Sequence, residues 1–283
     1  MLEGQGSALD PQGAGRPLDP IPSWVLGSCP ALAVVLVLLA SSSARADYGV
    51  VSPDAIDFGQ LVIQHDGDTL YDRRSSTGGA QGYTVSVGTG LTRWWDFVVE
   101  LGYDHGPGNE QPSQLTQAVA ESTFELVEPG STFVDTSIYV EYGQTVMRSH
   151  TAGANEVTLG PAIGKDIGPT THTLNLFVTR LLGPDQGSPG LDFSYAWQSR
   201  WNVWGPLSPA IEMYGDAGTL GHMPRFSEQQ LLIGPVALGS VGLDELGLGS
   251  AGRLKYEIGW LFGATRATAA GTLRWHLELE IPF

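Results

Sequence analysis

The sequence predicts a single antiparallel transmembrane β-barrel of about twelve strands. Three observations predict it. From Asp47 onward apolar and polar residues alternate with a period of two, segment after segment, with no convincing amphipathic helix. The alternating segments run about ten to thirteen residues, long for a soluble sheet and suited to a tilted bilayer crossing. Aromatic residues sit at strand ends beside the turns, at Trp94 and Trp95, Trp201 and Trp204, and Trp275 and Phe283, as in the aromatic girdles of membrane barrels.

In chain order, the first element is not a strand. Ala31 to Ala40 form an apolar run followed by Ala44-Arg45-Ala46. Ten apolar residues are too few for a spanning helix, which needs roughly 20, whereas Ala44 and Ala46 form the small-x-small site of a secretory leader. Residues 1–46 therefore read as a cleaved signal peptide. Met1 to Trp24 hold Arg16 as their only basic residue, so the basic start of such a leader is missing and translation is expected to begin near Val25 or Leu26. Cys29, the single cysteine, precedes the apolar run, the reverse of a lipoprotein signal, and cleavage after Ala46 removes it. The remaining chain then has no thiol for a disulfide or a thiolate metal site. Loss of Glu3, Asp10, Asp19, Arg16 and Arg45 leaves 27 acids against 12 bases. That balance argues against a nucleic-acid partner, which needs a basic face.

Residues 47–283 divide into strands expected near 59–71, 81–91, 97–105, 117–127, 135–146, 155–166, 172–182, 191–204, 209–218, 229–239, 253–264 and 271–283. In the third, Phe97, Val99, Leu101 and Tyr103 oppose Val98, Glu100, Gly102 and Asp104. In the fifth, Ile138, Val140 and Tyr142 oppose Ser137, Tyr139 and Glu141. In the eighth, Phe193, Tyr195, Trp197, Trp201 and Val203 oppose Asp192, Ser194, Gln198, Arg200 and Asn202. In the eleventh, Leu254, Tyr256, Ile258, Trp260 and Phe262 oppose Lys255, Glu257 and Gly259. Short turns such as residues 92–96, 127–131, 168–171 and 205–209, with a glycine-rich stretch at 239–252, alternate with longer polar connections. This is the pattern of an up-and-down meander with both termini on the periplasmic side.

The twelfth segment, TLRWHLELEIPF, alternates strictly through Trp275, Leu277, Leu279, Ile281 and Phe283. It resembles the closing strand of Gram-negative outer-membrane barrels, where a terminal aromatic is read by the barrel assembly machinery. Pro282 is tolerable there because a ladder donor lost in the last turn costs least. The segments GPAIGKDIGPTTHTLNL (160–176), SYAWQSRW (194–201), IEMYGD (211–216), LKYEIGWLFGATRAT (254–268) and GTLRWHLELE (271–280) resemble a proteobacterial outer-membrane β-barrel family with a porin-like or transporter-like barrel. The resemblance implies an exported barrel in the outer membrane and brings no functional residue with it.

If the apolar wall meets lipid, the inward set includes Glu100, Glu125, Glu141, Lys165, Arg200, Glu212, Lys255, Glu257, Arg274, His276, Glu278 and Glu280. Cross-strand neighbours on one face lie about 5 Å apart, so these charges can pair. Two readings follow: a structural or ligand-binding barrel whose lumen is plugged by charged residues, or a cation-favouring passive pore for small solutes. No nucleophile motif accompanies the histidines, and in the RSH (148–150) and THT (171–173) triplets neighbouring side chains point to opposite faces, so an enzyme is not expected. His65, Asp66 and Asp68 in QHDGD could suggest Ca²⁺, but a segment built on DG reads more simply as a turn. No metal or cofactor is expected.

Overall fold

The computed structural model describes residues 49–74, 78–107, 114–146, 155–183, 190–202, 206–248 and 251–283. The expected leader, with Ala44, Ala46 and Cys29, lies outside them, as do His150 and Trp204. Twelve strands follow in order: β1 (Gln60–Tyr71), β2 (Gln81–Gly90), β3 (Asp96–His105), β4 (Gln114–Glu125), β5 (Asp135–Thr145), β6 (Asn155–Ile167), β7 (Thr170–Leu182), β8 (Asp192–Trp201), β9 (Ser208–Thr219), β10 (Gln230–Gly242), β11 (Arg253–Gly263) and β12 (Gly271–Pro282). Each pairs antiparallel with its sequence neighbours, and β1 pairs with β12 to close the ring. Closure leaves no unpaired edge, the condition for a sheet to exist in hydrocarbon.

The register sorts every strand into two walls. On β12, Leu273, Trp275, Leu277, Leu279 and Ile281 face out, and Arg274, His276, Glu278 and Glu280 face in, opposite Asp68, Asp66, Gln64 and Val62 of β1. Leu277 is 42% exposed while Arg274 is 4% and Glu212 0% exposed. Apolar side chains thus form the outside of the molecule and charged ones its interior, the inverse of a soluble barrel. The closing seam is fitted on its outer face. Trp275 lies across Gly67 of β1, where a Cβ would come 2.2 Å from the indole ring.

Two elements differ from the sequence expectation. QHDGD is mid-strand in β1, not a turn, because its pairing with β2 and β12 outweighs the local preference of Asp-Gly. β10 extends to Gly242 through a stretch expected to turn at 239. Ser240, Val241 and Gly242 instead pair with Lys255, Leu254 and Arg253. Pro161 and Pro235 stand inside β6 and β10, and the paired register skips them on the β7 and β11 sides, where a missing N–H leaves no donor.

The chain before β1 does not leave the barrel. Residues 49–57 run back inside it as a strap that bends at Pro53 and Asp54. Ile56 donates its N–H to Asp96 (2.9 Å), Ala55 to Glu125 (2.8 Å) and Val51 to the Asn175 side-chain oxygen (2.9 Å). Val50 packs against an inward apolar patch of Ala196, Ala210, Tyr214, Leu232, Val236 and Leu261. The strap therefore touches strands on opposite sides of the lumen.

Candidate functional site

Alternation brings the polar residues of twelve strands to one place. They line, with the strap, a cavity of about 1140 Å³ inside the barrel. Its carboxylates are Asp54, Asp57, Asp66, Asp96, Glu100, Asp104, Glu121, Glu125, Glu141, Glu156, Asp192, Asp216, Glu257, Glu278 and Glu280; its bases are Lys255, Arg274 and His276.

The three bases share β11 and β12, and each is matched to acids. Arg274 Nη1 lies 2.5 Å from Glu212 Oε2 and 2.8 Å from Glu257 Oε1. Its guanidinium stands 5.3 Å from the Tyr214 ring and donates to the Tyr214 hydroxyl. Tyr214 donates in turn to Glu212 (2.8 Å), which also accepts from Gln198 (2.6 Å). A charge this buried is tolerable only when it is paired with opposite charge. His276 Nδ1 is 2.7 Å from Asp66. Lys255 Nζ bridges Glu278 (2.7 Å) and Glu280 (2.6 Å), and Gln64 ties Glu278 to Ser86.

The other side of the lumen is different. From β2 through β8 no basic residue lines the cavity among the described residues. Glu121 of β4 and Glu141 of β5 are direct cross-strand partners, and Glu100 lies on the strand beside them. Gln117 donates to Glu156 (2.7 Å) and Tyr139 to Glu141 (2.9 Å). Like charges directly opposite one another cost stability, and among the described residues no cation lining the cavity on this side offsets them. At the strap, Asp54 faces Asp135 and Asp166. Burial first, then those two carboxylates, raises its pKa above the ordinary carboxylate value.

Of the residues expected inward, Glu100, Glu125, Glu141, Lys255, Glu257, Arg274, His276, Glu278 and Glu280 line the cavity. Glu212 lies behind it as the partner of Arg274. Arg200 shares the inward face by register, opposite Thr171 and Ala210, but lies outside the cavity lining. Lys165 is a correction. The register places Gly164 and Asp166 inward, so Lys165 faces out, its ammonium 4.0 Å above the Phe133 ring and donating to the Phe133 carbonyl. A lysine at a strand end can turn its charge to the rim, so polarity alone does not assign its face. Sequence reasoning missed Glu121, Asp66 and Glu156. Glu121 was within reach, since it is four residues before Glu125 on the same strand face. Asp66 was hidden by the turn reading. His172 of THT pairs not with its neighbours but with Thr170, two residues away on the outer face, at 3.0 Å.

No known protein family matches the chain by sequence, and no curated protein matches it. Solved structures do. An outer-membrane channel from Pseudomonas putida F1 superposes with a TM-score of 0.54 at 13% identity, covering 85% of this chain and 99% of that one. The fold is that of a porin-like barrel. The KdgM porin, solved with disordered oligogalacturonate, and the NanC porin give TM-scores of 0.46 at 6% and 8% identity. Each covers 79% of this chain, and 99% and 100% of its own.

Proposed function

We propose that the protein is an outer-membrane channel for small solutes that favours cations, with the lumen as its path. The observation that carries this reading is the polar cavity of about 1140 Å³ inside a closed barrel, with carboxylates alone, among the described residues, as its charged groups from β2 to β8. Acidic rings in a narrow, low-dielectric passage concentrate cations and repel anions. The apolar exterior supports a lipid setting, and export with cleavage after Ala46 and insertion by the barrel assembly machinery would deliver the chain there. The reading is non-enzymatic.

Planar-bilayer recording of the purified protein under a KCl gradient tests it. The expected result is a reversal potential displaced toward that of K⁺. Anion selectivity overturns the reading. A second reading, a binding barrel with a plugged lumen, is favoured by one observation, the strap, which occupies part of the path. It predicts no conductance from either the full chain or a chain lacking residues 49–57.

A further inference from the structure

The strap occupies a seat shaped for a polypeptide main chain. Asn175, 0% exposed, answers both main-chain groups of Val51, accepting its N–H at 2.9 Å and donating to its carbonyl at 2.8 Å. Asp96 and Glu125 each accept a main-chain N–H, from Ile56 and Ala55. Gly90 and Gly164 make the room. A Cβ on Gly90 would meet the Ile56 carbonyl oxygen at 2.2 Å, and one on Gly164 would meet Pro53 at 2.6 Å. The side chain most plainly read is Val50, against the patch that includes Ala196 and Leu232. The Pro53 ring against Gly164 and the Ile56 side chain beside Gly88 are read as well, and main-chain groups carry the rest of the recognition.

We propose that this seat is a binding site for short peptides and that the strap is its resident, displaceable occupant, an autoinhibitory ligand built into the chain. The physical reason is the cost of leaving the seat empty. Withdrawal of the strap strips Asn175 of both its main-chain partners and leaves Asp96 with the Thr123 N–H alone, in a confined place, and buried polar groups without partners are expensive. An arriving chain restores the same bonds, so exchange is favoured over simple opening. The acidic surroundings select among peptides. Pro53, beside Asp54, seats against Gly164, which pairs with Asp135 and stands two residues before Asp166 on the same face, so a neutral or cationic residue in place of Asp54 binds better than the strap's own.

The proposal rests on the channel reading only for its electrical readout, and binding is measured separately. The probe is a fluorescent, end-blocked peptide of residues 50–56, VVSPDAI, followed by anisotropy. The proteins are the full chain, the chain lacking residues 49–57, and a full-length Gly164→Val variant that unseats Pro53 without deletion. Binding to the strapless or Gly164→Val protein at least roughly tenfold tighter than to the full chain is expected. So is a loss of roughly tenfold on Asn175→Leu in the strapless barrel or on N-methylation of the peptide at Val51, each of which removes main-chain hydrogen bonds. A peptide carrying Asp54→Asn is expected to bind more tightly. Equal binding of methylated and unmethylated peptide, or none to both unseated proteins while heat-modifiability shows them folded, overturns the proposal. If the strapless chain conducts and peptide neither binds nor blocks it, the channel reading stands and the peptide seat falls. If peptide binds as described but neither chain conducts, the seat stands and the channel reading falls.

Discussion

Arg274 shows what a single charge requires inside this barrel. It is 4% exposed and holds Glu212 and Glu257 together with Tyr214. Arg274→Met leaves two buried carboxylates without their cation, and breaking a buried ion pair from one side costs about 3 to 5 kcal/mol. Urea unfolding in detergent should show that loss, whereas a change below about 1 kcal/mol would mean that water reaches the cluster. Glu121 makes the opposite case. It stands directly across from Glu141, so Glu121→Gln should stabilise the barrel, by up to about 1 kcal/mol. The same change should reduce the ratio of cation to anion permeability in bilayer recordings. An unaltered ratio would take Glu121 out of the selectivity account.

At the scale of the element, one strand carries two chemistries, and β12 is where they are most cleanly compared. Leu277 and Glu278 are adjacent in sequence and face opposite solvents. Leu277→Arg places a charge on the apolar exterior and should cost about 2 to 4 kcal/mol where the strand crosses the bilayer midplane. Glu278→Gln keeps a polar group beside Gln64, while Lys255 retains Glu280, so the barrel should assemble with a smaller loss. Refolding yields into lipid vesicles check the order. Equal damage, or the reverse order, would place the apolar wall against water. The strand scale is also where local preference loses to pairing. Asp-Gly in β1 is held by pairing on both sides, and Pro235 in β10 by pairing with Ile211 of β9 while the β11 ladder skips it.

At the scale of the molecule, the terminal residue is tied to the start of the barrel. Phe283 donates its N–H to the Gly59 carbonyl at 2.8 Å, yet its ring is 83% exposed and adds little packing. Deleting it removes about one ladder bond, so the isolated barrel should keep its stability within about 1.5 kcal/mol. If the aromatic is read during insertion, the deletion should instead leave protein in the periplasm, and Phe283→Tyr should restore it. Fractionation with heat-modifiability separates the two effects, and normal outer-membrane levels of the shortened chain would remove the signal role.

The sequence by itself determined the strand count and the two walls. Side chains on a strand alternate strictly, so period two in Phe97 to Asp104 or Leu273 to Glu280 fixes which residues share a face before any partner is known. It also placed most of the inward charges, Glu100 and Arg274 among them, because hydrocarbon accepts few polar groups on the opposite face. What it left open depends on contacts between residues far apart in the chain. Glu121 opposite Glu141, Asp66 beside His276 across the closing seam, and Lys165 turned to Phe133 at the rim are decided by register and by side-chain reach. The strap is the fullest case. Nothing periodic marks residues 49–57, and their place in the lumen comes from Asn175, Asp96, Glu125 and the space at Gly90 and Gly164, brought to one seat only when the sheet closes.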